Sequence, residues 1–581
     1  MRTLDDIGKK IQEMFSVKNV SIPLIALNLV SITLGIMYLL NPARNMFWEF
    51  FGVFLIITLF GNLLLVHLCN TRINRTSKMG NRLNLLCYGY LVATMLAMLG
   101  MALGNLWISV TVSNVLVDNG MGYGMVYASF FGLLGFGLLL ALLNIFHLKN
   151  QNLWDKSGDM QRKEPKWATM LKKILKKILW FVCYLVFAIG FLTAFVTVAG
   201  SFEFVTVFFA VLAGQFGVYF SFLYLANTLI LLKLKDKKKG PKGYKRIKIL
   251  GIGAAVILML PLCSTGFTIY ETERQFAAAF GSDWEQRIPS NVSEHFLPTP
   301  FSTPEYFLGT APKDCLVEEQ VLFYNDTNDT DNGIQLYFDV YMPLNQGIGL
   351  PGQNSTLIRI HGGGWRLLDK GETNLLQINK YFAAQGYIVF DIQHGVKGFG
   401  NLLIPDHVNG DFDIDDMVRH VGIFIKYLSA NAGEYGANLN SVFLSGVSSG
   451  GHLSTTAGWA IHNGGFTSLF GSNVTVKGII PLSTANGMNS WLGVGESQNF
   501  SHPEWMIDDT SPPCLIFMGT HDILNYFATA NTIKNAYNDA GNPRCALIWM
   551  PFGGHAFNIY YSSYYNQIFL YYTERFMYLY R

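Results

Sequence analysis

The chain has 581 residues, of which 50% are hydrophobic and only 14% charged, and its mean hydropathy is +0.27. Length allows two or three domains, while this composition excludes an ordinary soluble protein and points to membrane spans. The net charge of +3 carries little meaning, because the charges are unevenly placed, and the 7 cysteines lack the CxxC or Cys/His spacing of a zinc site or a disulfide framework.

Residues 1–20 read as a cytoplasmic amphipathic segment, and residues 21–270 as a helical membrane domain. Seven apolar runs, 21–40, 46–69, 83–109, 125–148, 178–200, 205–232 and 249–270, each reach the roughly 20 residues that a helix needs to cross hydrocarbon. The first run is too long for a cleavable signal peptide and is followed by Asn41-Pro42 instead of a small-residue cleavage site. Cys69, Cys87, Cys183 and Cys263 fall in these runs and are expected to pack. The small-residue pairs Gly100/Gly104, Ala128/Gly132 and Ala213/Gly217 suit close helix packing. Asn28, Asn62 and Gln215 lie deep in spans and are neutral, which fits hydrogen bonds between helices better than ion or proton transport.

Basic and neutral loops alternate. Segment 70–82 carries Arg72, Arg75, Lys78 and Arg82, segment 149–177 is rich in lysine, and 233–248 reads KLKDKKKGPKGYKRIK. The loops between them (NPARN, 110–124 and SFEF at 201–204) hold almost no Lys or Arg. The positive-inside rule then places the N-terminus in the cytoplasm and everything after Tyr270 outside, in a protein of the cell membrane.

Composition changes abruptly after Tyr270. Residues 271–333 are polar and rich in Pro, Asn and Asp, which predicts an external linker with an irregular extension, and 334–581 read as a catalytic domain. Sequons stand at Asn291, Asn325, Asn328, Asn354, Asn473 and Asn499. From Ile334 on, short β-rich runs at 336–343, 355–360, 387–392, 441–446, 477–483, 514–519 and 546–551 alternate with helical stretches near 371–386, 413–432, 451–463 and 526–541. Near-continuous apolar strands between helices predict a mostly parallel sheet covered on both faces. Cys514 and Cys545 start neighbouring predicted strands, where buried free thiols are expected over a bridge.

The chemistry gathers on this half. Gly446-Val447-Ser448-Ser449-Gly450 follows one predicted strand and opens a helix, the setting in which a serine sits on a sharp turn that only glycines allow. His361-Gly362-Gly363-Gly364-Trp365 ends an earlier strand, and its glycines expose backbone N–H groups able to hold an oxyanion. The nucleophile needs a base and the base an orienting carboxylate. Asp522 follows the strand CLIFMG and His555 follows ALIWMP, so Ser448, Asp522 and His555 come in the chain order of this fold. His521 competes with His555, and Asp508 and Asp509 compete with Asp522; His452 reads as a packing or capping residue.

HGGGW, GVSSGGHL, LYFDVYMP, GTHD and GGHAF together resemble the carboxylesterase and hormone-sensitive-lipase-like branch of the α/β-hydrolases over about residues 335–560. The resemblance implies Ser448 as nucleophile, His555 as base, Asp522 as orienter, and Gly363, Gly364 and the N–H of Ser449 as oxyanion donors. Two features depart from it. QHGVKG stands after YIVFDI where many members have a Tyr-Arg pair, and a fused seven-helix membrane domain is foreign to the common pattern.

The segments 393–412 and 484–510 leave strand ends on the catalytic face, where loops confer specificity. Trp365, Trp491 and Trp505 are the expected substrate-binding residues. The expectation is a serine esterase that needs no cofactor or metal and meets membrane lipids and a small-molecule or lipid ester, not nucleic acid. An acyltransferase using the same acyl-serine, and a catalytically silent hydrolase fold serving adhesion or signalling, are the alternatives.

Overall fold

The computed structural model describes all residues except 1–14, 73–77, 111–115, 150–165, 203, 236–239, 327–328, 399–403, 497–499 and 525–526. Most of the N-terminal amphipathic segment, Arg75, much of the lysine-rich segment and the sequons at Asn328 and Asn499 therefore lie outside the described residues. Of the other sequons, Asn291, Asn325 and Asn473 are exposed and Asn354 is half-buried.

Among the described residues, seven helical spans are long and apolar enough to cross a membrane. The helices are α1 (Val17–Leu40), α2 (Met46–Arg72), α3 (Lys78–Val110), α4 (Leu116–Lys149), α5 (Lys166–Ala199), α6 (Phe204–Leu234) and α7 (Pro241–Cys263). The last span continues past a break at Ser264 into α8 (Thr265–Phe280). Two buried amides inside the bundle pair with each other, which satisfies polar groups away from water. Asn28 donates to Asn62 Oδ1 at 3.0 Å and Asn62 donates to Asn28 Oδ1 at 2.9 Å. Gly104 lets α3 and α4 touch, since a Cβ there would lie 2.8 Å from the Gly122 carbonyl, and Gly217 does the same against Leu258. Gly132 has open space around it, so the Ala128/Gly132 pair is not a packing seam. Cys263 is exposed where packing was expected, while Cys69, Cys87 and Cys183 are buried.

The C-terminal half is built on eight strands: β1 (Leu316–Asn325), β2 (Gln335–Met342), β3 (Ser355–Ile360), β4 (Ile388–Ile392), β5 (Asn438–Val447), β6 (Val476–Leu482), β7 (Cys514–Gly519) and β8 (Cys545–Met550). Their order in the sheet is β1-β2-β4-β3-β5-β6-β7-β8. Only β2 runs against its neighbours, and β4 through β8 are parallel. This is the α/β-hydrolase arrangement, as the strand pattern predicts. Flanking helices follow as α9 (Thr303–Leu308), α10 (Leu376–Ala384), α11 (Ile414–Tyr435), α12 (Ser449–Asn463), α13 (Phe527–Asp539) and α14 (Tyr564–Tyr580). Cys514 and Cys545 pair across β7 and β8, and both are buried free thiols.

Residues 271–333 are more regular than a linker. They hold the end of α8, which packs against edge strand β8, then α9, and then β1, which extends the sheet on its other edge. Covering or pairing an edge keeps its backbone groups from seeking another chain.

The two halves share one core. A continuous apolar cluster joins Leu63 and Phe222 of the membrane helices to Tyr306 and Phe307 of α9, Tyr560 and Tyr564 near α14, and Phe443 and Phe517 of the sheet. The opposite sheet face carries a separate cluster with α11 and α12. The membrane-side contacts of the hydrolase half include the loop after α1 (Arg44 with Glu305), the end of α3 (Ser109 Oγ accepts from the Tyr561 N–H at 2.9 Å), the loop after α5 (Ser201 Oγ donates to the His521 carbonyl at 3.3 Å) and the first half of α6.

Candidate active site

Strand β5 delivers Ser448 to a turn that opens α12. The serine holds φ 58° and ψ −120°, a left-handed backbone that an L residue adopts only when its surroundings enforce it. The surroundings are glycines. A Cβ on Gly446 would lie 2.4 Å from Gly450 carbonyl carbon and 2.6 Å from the Ile360 carbonyl oxygen, and one on Gly450 would lie 2.1 Å from that same oxygen. Strand β3, strand β5 and helix α12 therefore meet backbone to backbone beneath the serine.

His555 and Asp522 come from the loops after β8 and β7. Ser448 Oγ–H donates to His555 Nε2 at 3.1 Å, and His555 Nδ1–H donates to Asp522 Oδ2 at 3.0 Å. Burial disfavours the imidazolium, but the charge of Asp522 and its hydrogen bond outweigh that and hold the His555 pKa above its ordinary value. The competitors are placed elsewhere. His521 Cδ2 lies within 2.9 Å of where a Cβ on Gly200 would sit, at the end of α5, and Asp508 accepts from Thr510 and Ser511 in a surface turn. Asp509 follows Asp508 in that turn.

The segment after β3 borders the serine. Gly363 and Gly364 have φ of 122° and 63°, followed by Trp365 at 61°. Gly362 N–H donates to Thr373 Oγ1 at 2.7 Å, and a Cβ on Gly363 would stand 1.8 Å from the Leu367 carbonyl oxygen. Ser449 is the first residue of α12, so its N–H belongs to the helix-opening donors that have no carbonyl within the helix. Beneath this segment, buried Asp391 accepts from Gly371 N–H, Asn374 and Asn379, and burial raises its pKa to about 6. His361 does not reach the cavity. It is buried and stacks on His394, rings 4.2 Å apart and inclined by 4°. His394 is thus what stands where the resemblance leads one to expect a Tyr-Arg pair, and burial holds both imidazoles below their ordinary pKa. His452, a packing residue by sequence, is buried and accepts from Trp365 Nε1–H at 3.3 Å.

Ser448 and His555 open onto a cavity of about 470 Å³ whose wall includes Leu367, Leu368, Met488, Trp491, Leu492 and Leu524. Trp365 also lines it, whereas Trp505 does not; that ring is exposed and stacks on His502. The segment 484–510 supplies one wall through Met488, Trp491 and Leu492, while Lys397 of 393–412 braces the other side by donating its N–H to the Trp365 carbonyl at 2.9 Å. Leu367, Leu368 and Leu524 escape a reading of the sequence because each sits in a loop with no periodicity. Among the described residues, no group of three His, Cys, Asp or Glu is placed to hold a metal ion.

The BD-FAE family model matches residues 338–492, a stretch that includes Gly363, Gly364 and Ser448. Among solved structures, Thermogutta terrifontis esterase 2 phosphorylated by paraoxon is 21% identical, over 42% of this chain and 84% of that one, with a TM-score of 0.32. A truncated carbohydrate esterase from gut microbiota is 18% identical, over 46% of this chain and 98% of that one, with a TM-score of 0.34. No curated protein matches. The C-terminal half is an α/β-hydrolase domain with serine, histidine and aspartate in hydrogen-bonded sequence, and it is similar to the BD-FAE family over its central portion.

Proposed function

We propose that the protein is a membrane-anchored serine esterase that cleaves carboxylic acyl esters of lipids or acylated glycans at the external membrane face. The observation that carries this reading is the chain Ser448 Oγ–H to His555 Nε2 and His555 Nδ1–H to Asp522 at the mouth of an apolar cavity. Ser448 attacks the ester carbonyl as His555 takes its proton, and the same imidazolium protonates the leaving alcohol. The N–H groups of Gly363, Gly364 and Ser449 stabilise the oxyanion. Water, activated by His555, then releases the acid from Ser448. The cavity wall of leucine, methionine and tryptophan suits an acyl chain.

Two features support the location. The hydrolase half meets the loop after α1, the end of α3 and the loop after α5, all on the side of the loops poor in Lys and Arg, which supports a cytoplasmic side for the basic loops. The span Thr206–Leu234 of α6 has 29 residues, about 9 more than the ~20 that cross hydrocarbon. Counting about 20 residues back from Lys233, as inner anchor, reaches Gly214, where a Cβ would lie 2.9 Å from the Phe552 carbonyl of the catalytic loop. Ser448 then works at the outer boundary of the bilayer, where a lipid presents its ester.

A cell-impermeant fluorophosphonate applied to intact cells tests this. Labelling abolished by Ser448→Ala is expected. Absence of such labelling overturns the esterase, and labelling only after permeabilisation overturns the external placement. Products formed with added alcohol separate hydrolysis from acyl transfer.

A further inference from the structure

Several polar side chains of the bundle bond to the hydrolase half, and Gln215 bonds to the loop that carries His555. Gln215, on α6 inside the sixth span, is fully buried. Its amide N–H groups donate to the Val211 carbonyl at 3.1 Å and to the Ala556 carbonyl at 3.3 Å, and its Oε1 accepts from the Tyr560 N–H at 2.9 Å. Ala556 follows His555 directly. The side chain therefore clamps the catalytic loop immediately after the histidine and again five residues after it.

The loop needs such a clamp. Phe552 and Ala556 flank His555 with φ of 61° and 54°, conformations that non-glycine residues hold only under external constraint. Gly554 lies against α6, where a Cβ would stand 3.1 Å from Val211 N, and Gly214 meets the Phe552 carbonyl from the other side. The Tyr560 ring stacks on Phe216 at 4.9 Å, and Tyr564 donates its hydroxyl hydrogen to the Gly214 carbonyl. Of these contacts only Gln215 binds backbone groups on both sides of the loop's return, at Ala556 next to His555 and at Tyr560.

We infer that Gln215 is a positioning residue for His555, and that membrane helix α6 is by this means part of the catalytic apparatus. The inference rests on the esterase reading above. It is tested on the full chain in lipid nanodiscs, by the rate of fluorophosphonate labelling and by hydrolysis of a short-chain nitrophenyl ester across the acid limb of the pH profile. Gln215→Met keeps volume and loses the clamp. It is expected to lower kcat and the labelling rate about 10- to 100-fold per folded molecule, with KM within about twofold, as small misplacements of a catalytic group do. The acid limb is expected to move to lower pH as His555 loses part of its hold on Asp522. Asn62→Leu breaks the Asn28–Asn62 amide pair, remote from the loop, and is expected to leave rate and limb as they are. Where Gln215→Met does not fold, Gln215→Asn keeps the amide but withdraws it by one carbon, and a lowered kcat at unchanged KM supports the inference. Wild-type kcat and an unmoved acid limb in whichever variant folds overturn it. A wild-type chain that shows no Ser448-dependent labelling overturns the esterase reading instead.

Discussion

Arg44 and Glu305 form an ion pair between residues 261 positions apart, joining the loop after α1 to helix α9. The Arg44 guanidinium also donates to the Thr299 carbonyl at 2.7 Å, and both partners are buried. A single Arg44→Met leaves a carboxylate without its partner and is expected to cost about 3–5 kcal/mol, whereas Arg44→Met with Glu305→Met costs less than the two singles added. Thermal unfolding of the four chains in detergent measures the coupling, and additive losses contradict it.

Removing members of the triad has graded consequences. Ser448→Ala and His555→Ala are expected to abolish turnover to within the residual of binding and the oxyanion donors, and Asp522→Asn to lower kcat about 10⁴-fold by leaving the imidazole in the wrong tautomer. Steady-state ester hydrolysis by purified chains decides, and an Asp522→Asn enzyme within tenfold of the parent contradicts the assignment.

His555 must be neutral to accept the serine proton. Its pKa is raised by Asp522 against the effect of burial, so kcat/KM is expected to rise with pH through a midpoint above the ordinary histidine value of about 6.5. Asp522→Asn removes the charge that raises it, and the residual activity is expected to titrate at lower pH. A limb that stays in place in that variant counts against the pair.

Two exposed tryptophans of the hydrolase half, Trp491 and Trp505, separate the cavity from the surface. Trp491 lines the cavity and Trp505 does not. Trp491→Ala is expected to raise KM for long-chain esters by about 10-fold, of the order of 1–3 kcal/mol of lost apolar contact, and to spare short ones. Trp505→Ala is expected to change neither. A chain-length series of nitrophenyl esters reads both.

Gly446→Ala places its methyl against the Ile360 carbonyl and Gly450, backbone atoms that cannot step aside. A stability loss of about 1–3 kcal/mol or more is expected, together with loss of labelling at Ser448 as the turn is displaced. Gly132→Ala, in open space, is expected to be neutral in both assays.

Seven of the strands and all seven spans can be read from the chain because apolar runs report burial on both faces of a sheet or contact with lipid. β1 cannot: LVEEQVLFYN is an edge strand, mostly exposed, and its charges resemble a linker's. Helix α14 is equally hidden, since YYNQIFLYYTERFMYLY is rich in aromatics and gives no helical stripe. The order of motifs points to Ser448, Asp522 and His555, which the fold brings within hydrogen-bonding distance. Gln215 defeats the same approach. An amide in a span suggests a neighbouring helix, and its partners lie 341 and 345 residues further on.

Gly214 and Gly554 give the meeting of α6 and the catalytic loop a mechanical character. Where side chains separate two elements, their rotamers act as a compliant layer that soaks up small movements. At these two glycines that layer is missing, because backbone rests on backbone there. A stiff joint passes displacement along instead of absorbing it, so a movement of α6 at this crossing is expected to reach the loop that carries His555.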